Sequence, residues 1–143
     1  MKTDSFQRAS QELRTVMRQT VCSLDATCGD CYVLIVEESD LVAEMLSLFI
    51  KLRRAESKQV NTVQSALTLL EAELNNIVCI IIEPFIQNGN SFINILKNQY
   101  REVPYIIYST MDLAITNKQY PNTVVLQKGG DAELLLSALP LGA

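Results

Sequence analysis

The feature that most constrains this chain is a rhythm: from residue 32 onward, short continuous apolar runs alternate with segments of helical period. Residues 77–82 read Ile-Val-Cys-Ile-Ile-Ile. A strand with one wet face would alternate polar and apolar residues, so an unbroken run predicts a central parallel strand covered on both faces. Parallel neighbours need crossover connections, and helix-period segments between the runs supply them. Five repeats are predicted, with strands near Tyr32–Val36, Gln59–Thr62, Ile77–Ile82, Tyr105–Tyr108 and Val124–Leu126. The first crossover helix, from Asp40 to about Arg53, is expected to turn Leu41, Val42, Met45, Leu46 and Phe49 inward. The second is expected to bury Val63, Ala66, Leu67, Leu70 and Leu74, and the third Phe92, Ile93, Ile95 and Leu96. Met111 to Asn117 reads as a short, poor helix, and Leu134, Leu135, Leu136 and Leu139 as the inner face of a last one, ended by Pro140.

Ahead of these repeats, Asp4 to about Leu24 carries a separate amphipathic pattern. Phe6, Ala9, Leu13, Val16 and Thr20 are spaced three and four apart, and Met17 and Val21 widen the stripe. Asp4 and Gln7 are compatible with a capping box, and Asp25 to Asp30, containing Gly29, supplies the stop. The expected organisation is an N-terminal helix and cysteine-containing loop over 1–30, then one α/β domain over 31–143. A chain of 143 residues suits one domain, and 48% hydrophobic against 20% charged residues is the mix of a globular protein.

Composition also excludes. A net charge of −4 repels phosphate backbones and anionic lipid, which argues against direct nucleic-acid or membrane partners. No apolar run is long enough to span a bilayer, so a cytoplasmic protein is expected. The chain has no histidine, removing the commonest general base and zinc ligand together. Cys22, Cys28 and Cys31 include a C-x-x-C step, but no fourth ligand lies nearby, and Cys79 sits in mid-strand. Reduced thiols are the default for a domain with its own core. A cysteine-based redox or metal sensor remains an alternative.

In an open parallel sheet, ligands gather beyond the carboxyl ends of the strands. Here those ends carry Glu37 and Glu38, then Glu83, then Ser109 and Thr110, then Lys128. Val33-Leu34-Ile35-Val36-Glu37-Glu38, Ile80-Ile81-Ile82-Glu83, Pro104 to Thr110 and Leu126-Gln127-Lys128-Gly129 resemble, in that order, the signature segments of two-component response-regulator receiver domains. The resemblance implies a flavodoxin-like, doubly wound sheet of order 2-1-3-4-5, here with an extra N-terminal helix. It implies that Glu37 and Glu38 match the acid pair that holds Mg²⁺. Glu83 then matches the phosphorylated aspartate, Ser109 the switch hydroxyl, and Lys128 the phosphate-contacting lysine.

The departures weigh as much. Glutamate at 83 carries its carboxylate one methylene further out, which misplaces a nucleophile that must reach phosphorus in line. The following loop lacks the family's proline and brings Gly89 earlier; Val125 stands where an aromatic switch residue is frequent, and Gly129 replaces the proline after the lysine. The expectation is a pseudo-receiver: no catalysis, no required cofactor, weak Mg²⁺ binding at most, and a degenerate pocket of Glu83, Ser109, Thr110 and Lys128. Glu83 and Lys128 are expected to pair, either as a standing mimic of phosphorylation or as a vestige. Glu37 and Glu38 have a plainer reading as acids that cap the helix after them. The stripe Phe6, Leu13, Val16, Met17 and Val21 is expected to bind a signalling partner or a second copy of the chain. An active phosphoacceptor with an unusual acidic site is the competing reading.

Overall fold

The structure is a computed structural model and describes residues 29–52, 54–109, 116, 118–120 and 123–127. The expected N-terminal helix, most of the helix from Met111 and the last helix lie outside the described residues. In chain order the elements are β1 (Tyr32–Val36), α1 (Asp40–Leu52), β2 (Ser57–Val60), α2 (Val63–Glu73), a 3-10 turn (Leu74–Asn76), β3 (Ile77–Ile82), α3 (Gly89–Gln99), β4 (Tyr105–Ser109) and β5 (Val124–Gln127). The strands form one sheet in the order β2-β1-β3-β4-β5, and every pairing is parallel. This is the flavodoxin-like arrangement expected from the alternating pattern.

Strand geometry sends successive side chains to opposite faces, and both faces are covered. Val33, Ile35, Cys79, Ile81, Ile106, Tyr108 and Leu126 pack with Ala43, Leu46 and Ile50 of α1. On the other face, Tyr32, Leu34, Val36, Ile80, Ile82 and Ile107 meet α2 and α3 through Val63, Ala66, Leu70, Phe92, Ile93 and Leu96. Each large side chain so buried contributes about 1.5–3 kcal/mol relative to exposure. Phe92→Ala removes a fully enclosed ring, and such truncations cost about 3–5 kcal/mol.

Several sequence expectations shift. Leu74, expected on the buried face of the second helix, falls in the 3-10 turn after it and is exposed, because the helix ends at Glu73. The second strand is Ser57–Val60, not residues 59–62, because Thr62 is taken by the helix that follows. Its backbone is extended, and its hydroxyl accepts from the Ser65 N–H at 3.1 Å, a helix N-cap. The strand lies at the sheet edge with two of its four residues exposed, so it carries little apolar signal. In α1 the inner face is Ala43, Leu46 and Ile50; Leu41 is 78% exposed, and Val42, Met45 and Phe49 are only partly buried. The helix is apolar almost all round, so periodicity could not choose which side turns to the sheet.

Local chemistry sets the ends of α1. The Ser39 side chain accepts from the Val42 N–H at 3.3 Å, Asp40 opens the first turn, and Lys51 closes the last, both favourable to the helix dipole. Arg54 then adopts a left-handed conformation (φ 61°) while Ala55 N–H reaches the Ile50 carbonyl at 3.2 Å, ending the helix against the sheet.

Candidate functional site

The strand register brings the expected residues to one rim. Val36 pairs with Ile82, so Glu37 and Glu83 leave adjacent strands side by side; Ser109 ends β4 and pairs with Gln127 of β5. Glu37 N–H donates to the Val60 carbonyl at 3.0 Å and Glu83 N–H to the Val36 carbonyl at 3.1 Å, so sheet hydrogen bonding continues into both acids. Glu37, Glu83 and Ser109 are buried, whereas Glu38 is exposed. Thr110 and Lys128 lie outside the described residues.

Each buried acid is engaged by its own loop. Glu37 Oε2 accepts from the Ser39 N–H at 3.2 Å, and Glu83 Oε1 from the Phe85 N–H at 3.3 Å. The loop after β1 is further held by Gln59, whose Nε2 lies 3.3 Å from the Glu37 carbonyl and 3.0 Å from Asp40 Oδ1. Among the described residues no three His, Cys, Asp or Glu side chains are grouped so as to hold a metal ion.

The loop after Glu83 is shaped by backbone contact. A Cβ on Gly89 would stand 2.1 Å from the Pro84 carbonyl oxygen, so only glycine lets the start of α3 approach this loop. Asn88, left-handed at φ 65°, precedes it and makes the turn. The early glycine noted in the sequence is therefore what brings α3 close behind Glu83.

One rim residue escaped sequence reasoning. Tyr120 is buried, its hydroxyl donates to Asn90 Oδ1 of α3, and Gln119 Nε2 lies 3.3 Å from the same hydroxyl. Burial, and next the negative charge of Glu83, push the Tyr120 phenol above its usual range. The phenol thus belongs to the electrostatic surroundings of Glu83. No motif around Tyr120 signals this, because it is brought there by the chain's return between β4 and β5.

A second polar cluster lies at the opposite, amino-terminal end of the sheet. Tyr32 OH donates to Glu73 Oε2 at 2.5 Å, and Lys58 Nζ sits 3.2 Å from the same carboxylate oxygen and 4.4 Å from the centre of the Tyr32 ring. Burial first, then the hydrogen bond and charge of Glu73, push the Tyr32 phenol up; the Tyr32 and Lys58 hydrogen bonds hold the Glu73 carboxyl down. A cleft of about 450 Å³ opens beside this cluster and includes Cys31 and Asn76 in its lining. Cys31 is disulfide-bonded, which corrects the expectation of a reduced thiol at that position, while Cys79 is a buried thiol as expected. Its sulfur lies 3.9 Å from the Asn75 carbonyl, a packing contact because a disulfide sulfur has no proton to donate.

Similarity to solved structures decides the architecture. A sensor protein from Polaromonas sp. JS666 superposes with a TM-score of 0.64 at 18% identity, covering 76% of this chain and 92% of its own. The chemotaxis protein CheY4 of Vibrio cholerae gives 0.62 at 22%, covering 76% and 95%. This is the receiver fold. A response regulator receiver protein from Pseudomonas putida, at 20% identity and a TM-score of 0.59, covers 76% of this chain and 98% of its own. No protein-family model matches the chain, and no curated protein is similar to it in sequence. The receiver fold therefore stands on three-dimensional likeness, and the rim of Glu37, Glu83 and Ser109 occupies the carboxyl end of its sheet. No helix among the described residues is long and apolar enough to cross a membrane.

Proposed function

We propose that this chain is a pseudo-receiver: a protein-interaction module of a two-component signalling pathway that is not phosphorylated in the usual way and is not an enzyme. The observation that carries the reading is Glu83, buried at the end of β3 with its carboxylate held by the Phe85 N–H. An extra methylene carries the carboxylate of glutamate about 1.5 Å further from the backbone than that of aspartate. In-line attack tolerates little misplacement, so phosphoryl transfer is lost while the negative charge remains. In this reading Lys128 pairs with Glu83, and the pair stands in for the phosphorylated state. Mg²⁺ binding is weak at most, because glutamates crowd a small octahedral ion. The module acts in the cytoplasm by binding a protein partner or a second copy through the N-terminal stripe of Phe6, Leu13, Val16, Met17 and Val21.

The test is incubation with a small-molecule phosphodonor and Mg²⁺, followed by intact mass. The expected result is no added phosphate on the full chain. A clear adduct that disappears in Glu83→Gln would instead identify an active phosphoacceptor with an unusual acidic site.

The Cys31 disulfide favours a second reading, a thiol-based redox sensor. A dithiol reductant would deliver two electrons and two protons to the disulfide, giving two thiols and its own disulfide. Light scattering of the chain with and without reductant tests it; an unchanged assembly state would remove this reading.

A further inference from the structure

The outward side of α1 carries an apolar stripe that the core does not use. Leu41, Leu48 and Leu52 are 78%, 58% and 67% exposed, and Met45, partly buried, lies in line with them. At about 100° per residue these four side chains fall within roughly 60° of one another, opposite Ala43, Leu46 and Ile50. Their spacing of four, three, four is the seam of a helix that packs on another helix. A contiguous exposed stripe of this kind marks a contact surface.

We infer that the α1 stripe is the seat for the N-terminal segment of a second copy of this chain, the contact being made twice in a reciprocal dimer. This deepens the interaction-module reading and rests on it. Leu13, Met17, Thr20 and Leu24 repeat the four, three, four spacing of Leu41, Met45, Leu48 and Leu52. Charge selects the direction of pairing. If the segment is helical and parallel to α1, with Leu13 opposite Leu41, then Arg14 and Arg18 fall on the flank that faces Asp40 and Glu44. At the far end of the same flank Asp25 faces Lys51. Antiparallel pairing would set those arginines beside Val42 and Phe49 instead. A second copy is the occupant proposed, and the chain's own segment on the same seat is an outcome that would overturn it. Because each copy supplies one segment and one seat, the interface is self-complementary and closes at two.

Light scattering on the full chain at matched concentrations tests this with two double variants, Leu41→Asp with Leu48→Asp, and Leu13→Asp with Met17→Asp. The full chain is expected to dimerise, and each variant alone to dissociate about a hundredfold more readily. An equimolar mixture of the two variants keeps one intact contact and is expected to form a mixed dimer that neither forms alone. Since Leu41 and Leu48 are exposed, the urea midpoint of their variant should match the parent's when both are diluted to monomers, which separates loss of contact from loss of fold. Dimers that survive Leu41→Asp with Leu48→Asp would overturn the proposal, as would a monomeric full chain whose α1 amides are protected by its own N-terminal segment. The phosphodonor assay does not depend on assembly. An adduct there would sink the pseudo-receiver reading whatever the dimer does, and a monomer here would leave that reading standing.

Discussion

The two ends of the sheet solve the same problem, placing charge next to a packed core, in different ways. At the carboxyl end, Glu37 and Glu83 each accept a backbone N–H from the residue two further along, so these contacts are local to the turns the acids begin. At the amino end, Tyr32 of β1, Lys58 of β2 and Glu73 of α2 meet across 41 and 15 residues of sequence. The carboxyl rim follows from the order of strand ends, whereas the amino cluster exists only once three elements have docked. The first end is organised by backbone hydrogen bonds, the second by contacts between side chains.

The sharpest way to break that contrast is at the glycines. Gly89→Ala places a methyl group against the Pro84 carbonyl, where backbone must move, and is expected to cost about 2–3 kcal/mol. At the amino end a Cβ on Gly29 meets nothing within 4 Å, so Gly29→Ala should stay within about 0.5 kcal/mol of the parent. Urea midpoints at equal slope measure both. A Gly89→Ala protein as stable as the parent would mean the carboxyl rim is not held by its backbone.

The phenols sharpen the comparison by chemistry. Tyr32→Phe removes a hydrogen bond to a carboxylate and should cost about 1.5 kcal/mol; Tyr120→Phe removes one to an amide and should cost about 1 kcal/mol. Both phenols titrate higher in the folded protein than in the unfolded chain. The folded state therefore holds protons that the unfolded state releases. Their contribution to stability is level below about pH 10, the unfolded value, and falls as pH rises from there toward the folded ones. Each Phe variant should flatten part of that alkaline decline. Glu83→Gln should lower the Tyr120 titration in an absorbance experiment while leaving it above normal, since burial is the larger cause. A Tyr120 titration that ignores Glu83→Gln would detach this phenol from the rim.

The smallest effect belongs to the ion pair. Lys58 and Glu73 are 49% and 31% exposed, so Lys58→Met should cost no more than about 0.5 kcal/mol, and less in high salt. A loss several times larger would show that Lys58 acts through the Tyr32 ring rather than through charge, and that the amino cluster is a single unit.

Much of this architecture was legible in the sequence. The unbroken run Ile77–Ile82 required cover on both faces, and the structure covers it; the strand ends then placed Glu37, Glu83 and Ser109 at one rim. Those inferences succeed because strand burial and chain order are properties of neighbouring residues. What the tertiary structure alone decided is where several surfaces were equally apolar or the partners lay far apart. Periodicity pointed Leu41 and Leu46 inward in α1, yet docking on the sheet kept only Leu46 fully buried, added Ala43 and Ile50, and left Leu41 in water. No local pattern linked Tyr120 to Asn90, or Tyr32 to Glu73. The physical reason is that a helix apolar on both sides, or a hydroxyl with a distant acceptor, has several favourable local arrangements, and only the packing of the whole sheet makes one of them the lowest in free energy.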